Sequence, residues 1–196
     1  MRGVLEKRIE QHLATIHRFR ERSLDSLEEL AKALLETLQN GGKLIVFGNG
    51  GSAADAQHFA CELVGTFLRK TRRALPAIAL STNTSNLTSI SNDFSYDDVF
   101  KRQLEALGEG GDLCVGISTS GNSVNVHKAL VAAREKGCRT AAFLGAGGGS
   151  IKDIVDIALI VPSNDTPCIQ ETHIMAIHII CDIIDDAFLP KNEAET

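Results

Sequence analysis

Four side chains of this sequence have the types and the spacing of a metal or acid–base site. His58 and Glu62 are four residues apart in a helical pattern, so they lie one turn apart on one face. Gln170 and His178 are eight apart in a later helical pattern, nearly on one face. Apolar neighbours surround Glu62 and His178, where an ionisable group needs a partner, a metal or a catalytic role. Two histidines, a carboxylate and an amide can hold Zn²⁺, although His178 taken alone fits a hydrogen-bonded core histidine better.

A glycine-rich segment, Gly48-Asn49-Gly50-Gly51-Ser52, leads into the helix that carries His58. Glycine lets the backbone approach a ligand closely, and a helix N-terminus offers unpaired N–H groups. Ser52 is suited to cap this helix or to bind an anion. The order of residues matches neither the dinucleotide-binding fingerprint nor the P-loop. A ligand-binding loop and a purely structural turn are equally good interpretations of this segment.

A second segment, from Ser118 to Ser123, predicts a phosphate site. It contains four hydroxyl side chains and a glycine within six residues, and it also runs into a helical pattern: Ser118, Thr119, Ser120 and Ser123. Hydroxyl donors and helix-terminal N–H groups suit a phosphate monoester without any lysine. The alternative is a polar N-cap cluster, but a cap needs one hydroxyl and not four.

The remaining polar candidates are weaker. Asn92 and Asp93, beyond the second predicted strand, suit either sugar hydroxyls or a turn-forming Asx pair. His173 shares a helix with His178 but falls on another face, which predicts a structural or surface role. Three further histidines are expected at the surface: His12, His17 and His127.

Short β-branched runs alternate with helical patterns after residue 43, and these elements must position the candidates. Strands are predicted at 44–47, 77–80, 113–117, 140–144 and 157–161, with helices at 53–68, 97–107, 123–136 and 168–187. This alternation is typical of an α/β fold, here a three-layer αβα sandwich with a mainly parallel five-stranded sheet. Ligands bind such sheets at the carboxyl ends of the strands. Both loops described above follow predicted strands.

Two helical patterns fill residues 1–40 ahead of this alternation. The first is expected to pack on another helix or another subunit, so residues 1–40 are predicted to form a helical oligomerisation arm of the same domain. Residues 41–190 are then the α/β domain, and 191–196 a loose tail.

Composition excludes several classes of protein. The 196 residues carry a net charge of −5, whereas a general nucleic-acid binder needs a basic face. The short basic run Arg69-Lys70 with Arg72-Arg73 is interpreted as a solvated face. Five scattered cysteines form no zinc or disulfide pattern and indicate a reducing compartment. Neither a membrane span nor a signal peptide is evident, so a cytoplasmic protein is expected.

Four segments together resemble the sugar isomerase (SIS) domain family and, within it, the phosphoheptose isomerases. They are 48–65, Asn92-Asp93, 117–123 and 169–178, and the resemblance extends over nearly the whole chain. It implies the flavodoxin-like SIS fold, one Zn²⁺ per subunit and a homotetramer with shared active sites. It also implies a sugar-phosphate substrate, with neither nucleic acid nor membrane as partner.

The activity that the resemblance implies is an aldose–ketose isomerisation through an enediol. Sedoheptulose 7-phosphate would become D-glycero-D-manno-heptose 7-phosphate, an early step of ADP- or GDP-heptose biosynthesis for lipopolysaccharide or surface glycans. Glu62 is the expected base and His178 its acid–base partner. The implied zinc ligands are His58, Glu62, Gln170 and His178. The implied substrate contacts are Asn49, Gly50, Gly51, Ser52, Glu62, Asn92, Asp93, Ser118, Thr119, Ser120, Ser123 and Gln170.

Two positions depart from the family pattern. Thr66 and Cys168 stand where the family commonly has arginine, which removes positive charge near the expected site; Arg69 is a possible substitute for one of them. Three other interpretations compete. One is a non-catalytic SIS-fold regulator that binds the replication initiator, in which the residues matching Glu62 and His178 are replaced. The others are a SIS-type sensor within a transcription factor and an isomerase of another sugar phosphate.

Overall fold

Within residues 1–190, which a computed structural model describes, five parallel strands form one sheet in the order β2-β1-β3-β4-β5. The strands are β1 (Leu44–Gly48), β2 (Ala77–Ala79), β3 (Leu113–Ser118), β4 (Arg139–Leu144) and β5 (Ile157–Ile160). The helices are α1 (Arg2–Arg22), α2 (Leu24–Gln39), α3 (Gly51–Val64), α4 (Thr84–Asp93), α5 (Val99–Leu107), α6 (Val124–Glu135) and α7 (Thr166–Ala187). The predicted tail at 191–196 lies outside the described residues.

The strand order confirms the predicted flavodoxin-like sheet. It reverses between β1 and β3, and a crevice opens at such a switch point. Gly48 of β1 is paired in register with Ile117 of β3. The glycine-rich segment and the hydroxyl segment therefore leave the sheet side by side.

Side chains of the strands alternate between two apolar layers, as the pleat of a strand requires. Val46 packs in the layer with α2, α3 and α7, whereas its neighbour Phe47 packs in the layer with α5 and α6. The protein is thus the predicted three-layer sandwich. α2 is an integral part of the first layer, but α1 buries two of its 21 residues, Thr15 and Phe19.

Helix α4 was not predicted, and it changes the position of Asn92 and Asp93. Its sequence is rich in Ser, Thr and Asn, which compete for backbone hydrogen bonds and favour turns, and Ile90 is its buried residue. Asn83 caps it by accepting a hydrogen bond from the Asn86 N–H. Asn92 and Asp93 therefore end a helix and are exposed, instead of following β2 directly.

Candidate active site

Helices α3 and α7 lie side by side, and their contacts bring three of the four predicted metal-site residues together. A Cβ atom at Gly51 would overlap the end of the Gln170 side chain, so Gln170 of α7 lies directly against the start of α3. Two turns further along both helices, His58 meets His178. The two contacts have almost the same offset along the chain, so the helices run parallel.

The cluster of His58, Glu62 and His178 is compact. His58 Nε2 lies 3.1 Å from Glu62 Oε1. The same nitrogen lies 3.1 Å from His178 Nε2. The Glu62 side chain is 19% exposed and that of His58 is 42% exposed. One hydrogen at most lies between the two ring nitrogens, so the cluster can hold and pass a proton.

Two further residues border this cluster and were missed in the sequence. The Phe67 ring stacks on the His178 imidazole, with centroids 5.2 Å apart and planes 25° apart. Asp55 is one turn before His58, and its Oδ2 is buried with no hydrogen-bond partner within residues 1–190. Burial raises the pKa of the Asp55 carboxyl above its usual range, and the nearby His58 opposes this. The sequence did offer one indication of Asp55, because it lies three residues before His58 on the same face of the helix.

Two pairs of atoms in this cluster have the spacing of zinc ligands, although the group whose ligand atoms all lie within 4.8 Å of one another is a different one, described below. Neighbouring ligand atoms of a tetrahedral zinc site lie about 3.3 Å apart, which both 3.1 Å distances approach. Two imidazole nitrogens and a carboxylate oxygen are ordinary zinc ligands. The Gln170 side chain lies against Gly51. Its position on α7 is eight residues before His178, which is a rise of about 12 Å along the helix axis.

A different group of ligand atoms lies where α1 crosses the start of α7. One ligand atom each of His12, Cys168 and Glu171 lies within 4.8 Å of the other two. His12 Nδ1 is 2.9 Å from Glu171 Oε2, and the His12 side chain is 32% exposed, so this histidine, expected at the surface, is partly exposed and belongs to the group. Cys168 is buried.

The hydroxyl segment is shaped as an open cradle at the start of α6. Ser123 occupies the N-cap position of α6, yet its side chain makes no capping hydrogen bond. Its hydroxyl instead lies 2.9 Å from the hydroxyl of the buried Ser118. Gly121 has a φ of +68° and packs directly on Gly148. These features favour an anion over the cap interpretation, because the first N–H groups of a helix lack intrahelical partners.

Thr119 is half-buried and Ser120 is exposed, so both lie within reach of a ligand at this cradle. The Ser120 hydroxyl accepts a hydrogen bond from the Asn122 backbone N–H at 3.2 Å. Asn122 in turn accepts from the Ser150 N–H at 3.0 Å, which ties the cradle to the loop after β4.

The glycine-rich segment is joined to this cradle by an amide pair. Asn49 donates to Asn125 Oδ1 and Asn125 donates back to Asn49 Oδ1, both at 2.8 Å. The Tyr96 hydroxyl donates to the same Asn49 oxygen at 3.1 Å. Gly50, with a φ of +55°, is the N-cap of α3, so Ser52 does not cap the helix as one interpretation had it; its side chain is buried in the first turn.

One residue of the basic run is not solvated. The Arg72 side chain is fully buried, with Nε 2.7 Å from Asp185 Oδ1 of α7. It also donates to the carbonyl oxygens of Glu62 and Leu63, each at 2.7 Å. The solvated-face interpretation was therefore wrong for Arg72, although Arg69, Lys70 and Arg73 are exposed.

Comparison with known proteins identifies the family. Residues 9–145 match the family model described as the SIS domain. Phosphoheptose isomerase of Geobacter sulfurreducens is 58% identical, over 84% of this chain and 86% of its own. Phosphoheptose isomerase of Aliarcobacter butzleri is 53% identical, over 95% of this chain and 98% of its own. The structure of the Neisseria gonorrhoeae phosphoheptose isomerase superposes with a TM-score of 0.89 at 42% identity, over 94% of this chain and 98% of its own.

These matches agree with the sheet order and with the resemblance in the motifs. None of the helices within residues 1–190 has the length and apolar character needed to cross a membrane. The chain belongs to the SIS domain family and, within it, to the phosphoheptose isomerases.

Proposed function

We propose that this protein converts sedoheptulose 7-phosphate into D-glycero-D-manno-heptose 7-phosphate, an early step of ADP- or GDP-heptose biosynthesis for lipopolysaccharide or surface glycans. The observation that carries the proposal is the cluster of Glu62, His58 and His178 on α3 and α7, together with the hydroxyl-rich segment that leaves the sheet next to the start of α3. The identity to phosphoheptose isomerases supports it.

The reaction needs one base at carbon and one proton carrier at oxygen. Glu62 takes a proton from C1 of the ketose while the C2 carbonyl oxygen gains a proton, which gives the enediol. Glu62 then returns its proton to C2, and the C1 oxygen loses its own proton as the aldehyde forms. His178 carries the oxygen-bound protons. Its ring is held by stacking on Phe67, which fixes where Nε2 points.

We propose that His58, Glu62 and His178 would hold a zinc ion, with Gln170 as the fourth ligand. One oxygen of Glu62 and one ring nitrogen of His178 would bind the ion, which leaves the second oxygen and the second nitrogen to exchange protons with the substrate. When bound, zinc stabilises negative charge on the substrate oxygens as a Lewis acid. Gln170 would have to turn from Gly51 to complete this set, and in its present orientation it suits a hydroxyl of the sugar.

The rest of the substrate is proposed to lie along the joined loops. The hydroxyls of Ser118, Thr119, Ser120 and Ser123 and the N-terminus of α6 bind the phosphate, which anchors the end remote from the reacting carbons. Asn49, Gly50 and Gly51 are proposed to line the path between phosphate and base. Ser52, whose side chain is buried in the first turn of α3, would contact the substrate only after turning outward. Asn92 and Asp93 are sugar contacts in this proposal; Asn92 now donates to Asp93 at 2.8 Å, so that bond must open.

We further infer a homotetramer in which residues 1–40 are an oligomerisation arm of the same domain as residues 41–190. Exposed apolar side chains along α1 and α7 support this: Val4, Leu5, Ile9, Leu13, Ile179 and Ile183. All five cysteines are free thiols, which supports a cytoplasmic location. Size-exclusion chromatography with light scattering tests the tetramer.

The test is conversion of sedoheptulose 7-phosphate by the purified, zinc-loaded protein in D₂O. An enediol mechanism exchanges the carbon-bound proton with solvent, so product deuterated at C2 is expected. Glu62→Gln should lower kcat at least about a hundredfold, as expected for loss of a general base. Glu135→Gln, an exposed change at the end of α6, is the matched control and should leave kcat unchanged.

Two outcomes would contradict the proposal. Conversion of another ketose phosphate but not of the heptose would assign a different substrate to the same site. No conversion of any sugar phosphate, with phosphate binding intact, would favour the regulator, and binding to the replication initiator would then be measured.

A further inference from the structure

The group formed by His12, Cys168 and Glu171 has the composition of a metal site in its own right. Cys168 and Glu171 are three residues apart on α7, so they share one face of its first turns. His12 reaches the same point from the middle of α1. One ligand atom of each lies within 4.8 Å of the others, close enough for a single ion to contact all three.

His12 is not satisfied by the contacts that it makes within the protein. Its Nδ1 lies 2.9 Å from Glu171 Oε2, but the direction of the contact does not meet the geometry of a hydrogen bond. Nδ1 is buried and has no other hydrogen-bond partner in the described part of the chain. A buried ring nitrogen beside a thiol and a carboxylate is suited to donate its lone pair to a cation.

The three ligands select a class of metal. A thiolate and a carboxylate supply two negative charges, which balance a divalent ion. Sulfur and nitrogen favour Zn²⁺ over Mg²⁺ or Ca²⁺, which prefer oxygen ligands. A groove of about 390 Å³ borders Cys168 and is also lined by Gln11, Thr15 and Asp165.

We propose that His12, Cys168 and Glu171 form a second zinc site, distinct from the site at His58, that fastens helix α1 to the first turns of α7. Within one chain α1 buries two side chains, Thr15 and Phe19, so a metal link would add to a small buried contact. Its other links to the body include the exposed pair Arg8–Asp165 at 2.8 Å and a hydrogen bond from Arg18 to the Pro162 carbonyl at 3.2 Å.

Cobalt substitution tests this site by a signal that the first site cannot produce. The metal-free full-length protein is titrated with Co²⁺, and a thiolate-to-cobalt charge-transfer band is expected in the near ultraviolet. His58, Glu62 and His178 contain no sulfur and cannot give this band. Cys168→Ser should abolish it, and Cys61→Ser, at an exposed cysteine of α3, should leave it unchanged.

Metal content and exchange give two further readouts. Zinc analysis should find about two ions per chain in the wild type and about one in Cys168→Ser. Glu171→Gln should weaken cobalt binding at the thiolate site at least about tenfold. Zinc should slow hydrogen exchange of the α1 amides in the wild type but not in Cys168→Ser, while thermal unfolding verifies that the variant is folded.

Three results would overturn the proposal. They are the absence of a thiolate–cobalt band at saturating Co²⁺, a band that persists in Cys168→Ser, and a zinc content that is the same in both proteins. Failure of the isomerase assay would not affect any of these readouts, so the two proposals fail separately.

Discussion

Arg72 and Asp185 form a buried ion pair that joins the end of α3 to α7. Arg72 Nε lies 2.7 Å from Asp185 Oδ1, and neither side chain is exposed by more than 1%. Asp185 Oδ2 accepts from the N–H groups of Leu68 and Arg69, at 2.7 and 3.0 Å. Because Arg72 also binds the Glu62 carbonyl, the pair fixes the helix end that carries the proposed base.

Removal of one partner should be strongly destabilising. Arg72→Met leaves the Asp185 carboxylate buried without its cation, and we expect the free energy of unfolding to fall by about 3–5 kcal/mol. Urea denaturation of the metal-free protein at pH 7 measures this loss.

The control is the double variant Arg72→Met with Asp185→Leu, which removes both charges. It should recover part of the lost stability, because no charge remains uncompensated in the interior. Arg2→Ala removes an exposed pair and should change nothing measurable. If Arg72→Met unfolds at the same urea concentration as the wild type, the pair does not hold the helices together.

A second prediction concerns the stability of the protein at acid pH. His173 is fully buried, and burial lowers the pKa of its imidazole to about 4, although its bond to the Leu144 carbonyl opposes this. The unfolded chain takes up this proton at about pH 6.5. Stability from the neutral ring is therefore complete above about pH 6.5 and declines as the pH falls toward 4, by about 3 kcal/mol in all.

His173→Gln tests this dependence, because an amide can donate to the Leu144 carbonyl but does not titrate. Unfolding free energies of the metal-free protein from pH 4 to 7 should show a shallower slope in the variant, by about one proton. Below this pH range, protonation of Asp185 should account for most of the further loss of stability. Burial raises the pKa of the Asp185 carboxyl, but the Arg69 N–H, Arg72 and the Leu68 N–H together hold it below its usual value. Equal slopes in the two proteins would show that His173 does not titrate on unfolding.

Short β-branched runs that alternate with helical patterns were enough to predict the sheet. The side chains of β3, for example, are buried on both faces of the sheet. Strands of a parallel sheet covered by helices on both faces have such continuous apolar sequences. The hydroxyl and glycine segments could be assigned to the strand ends because each directly follows a predicted strand and leads into a helical pattern.

Contacts between distant segments were not predictable in the same way. Arg72 and Asp185 are 113 positions apart, and each alone resembles a surface residue. Cys168 and His12 each lacked the spacing of a metal motif, since α1 and α7 meet only in the folded chain. In α4, tertiary packing of Ile90 and a capping Asn83 outweigh a composition that favours turns.

The phosphate cradle yields the last prediction. Ser123 stands at the N-cap of α6 without capping it, so Ser123→Ala should cost little helix stability, unlike the usual loss of a cap. Removal of its hydroxyl deletes one hydrogen bond to a charged group, worth about 1.5–3 kcal/mol, which corresponds to about a 10- to 150-fold rise in KM for the sugar phosphate. kcat should change far less, because the phosphate is remote from the reacting carbons.

Inhibition by inorganic phosphate distinguishes loss of the Ser123 hydrogen bond from a general distortion of the site. As a competitive inhibitor it should bind Ser123→Ala more weakly by a similar factor, whereas Thr88→Ala, an exposed change on α4, should leave both constants unchanged. A fall in kcat with an unchanged KM and an unchanged inhibition constant would mean that the Ser118–Ser123 pair positions the loops without binding phosphate. An unchanged thermal unfolding temperature in Ser123→Ala, together with a raised KM, would assign the hydroxyl to the ligand and not to the helix.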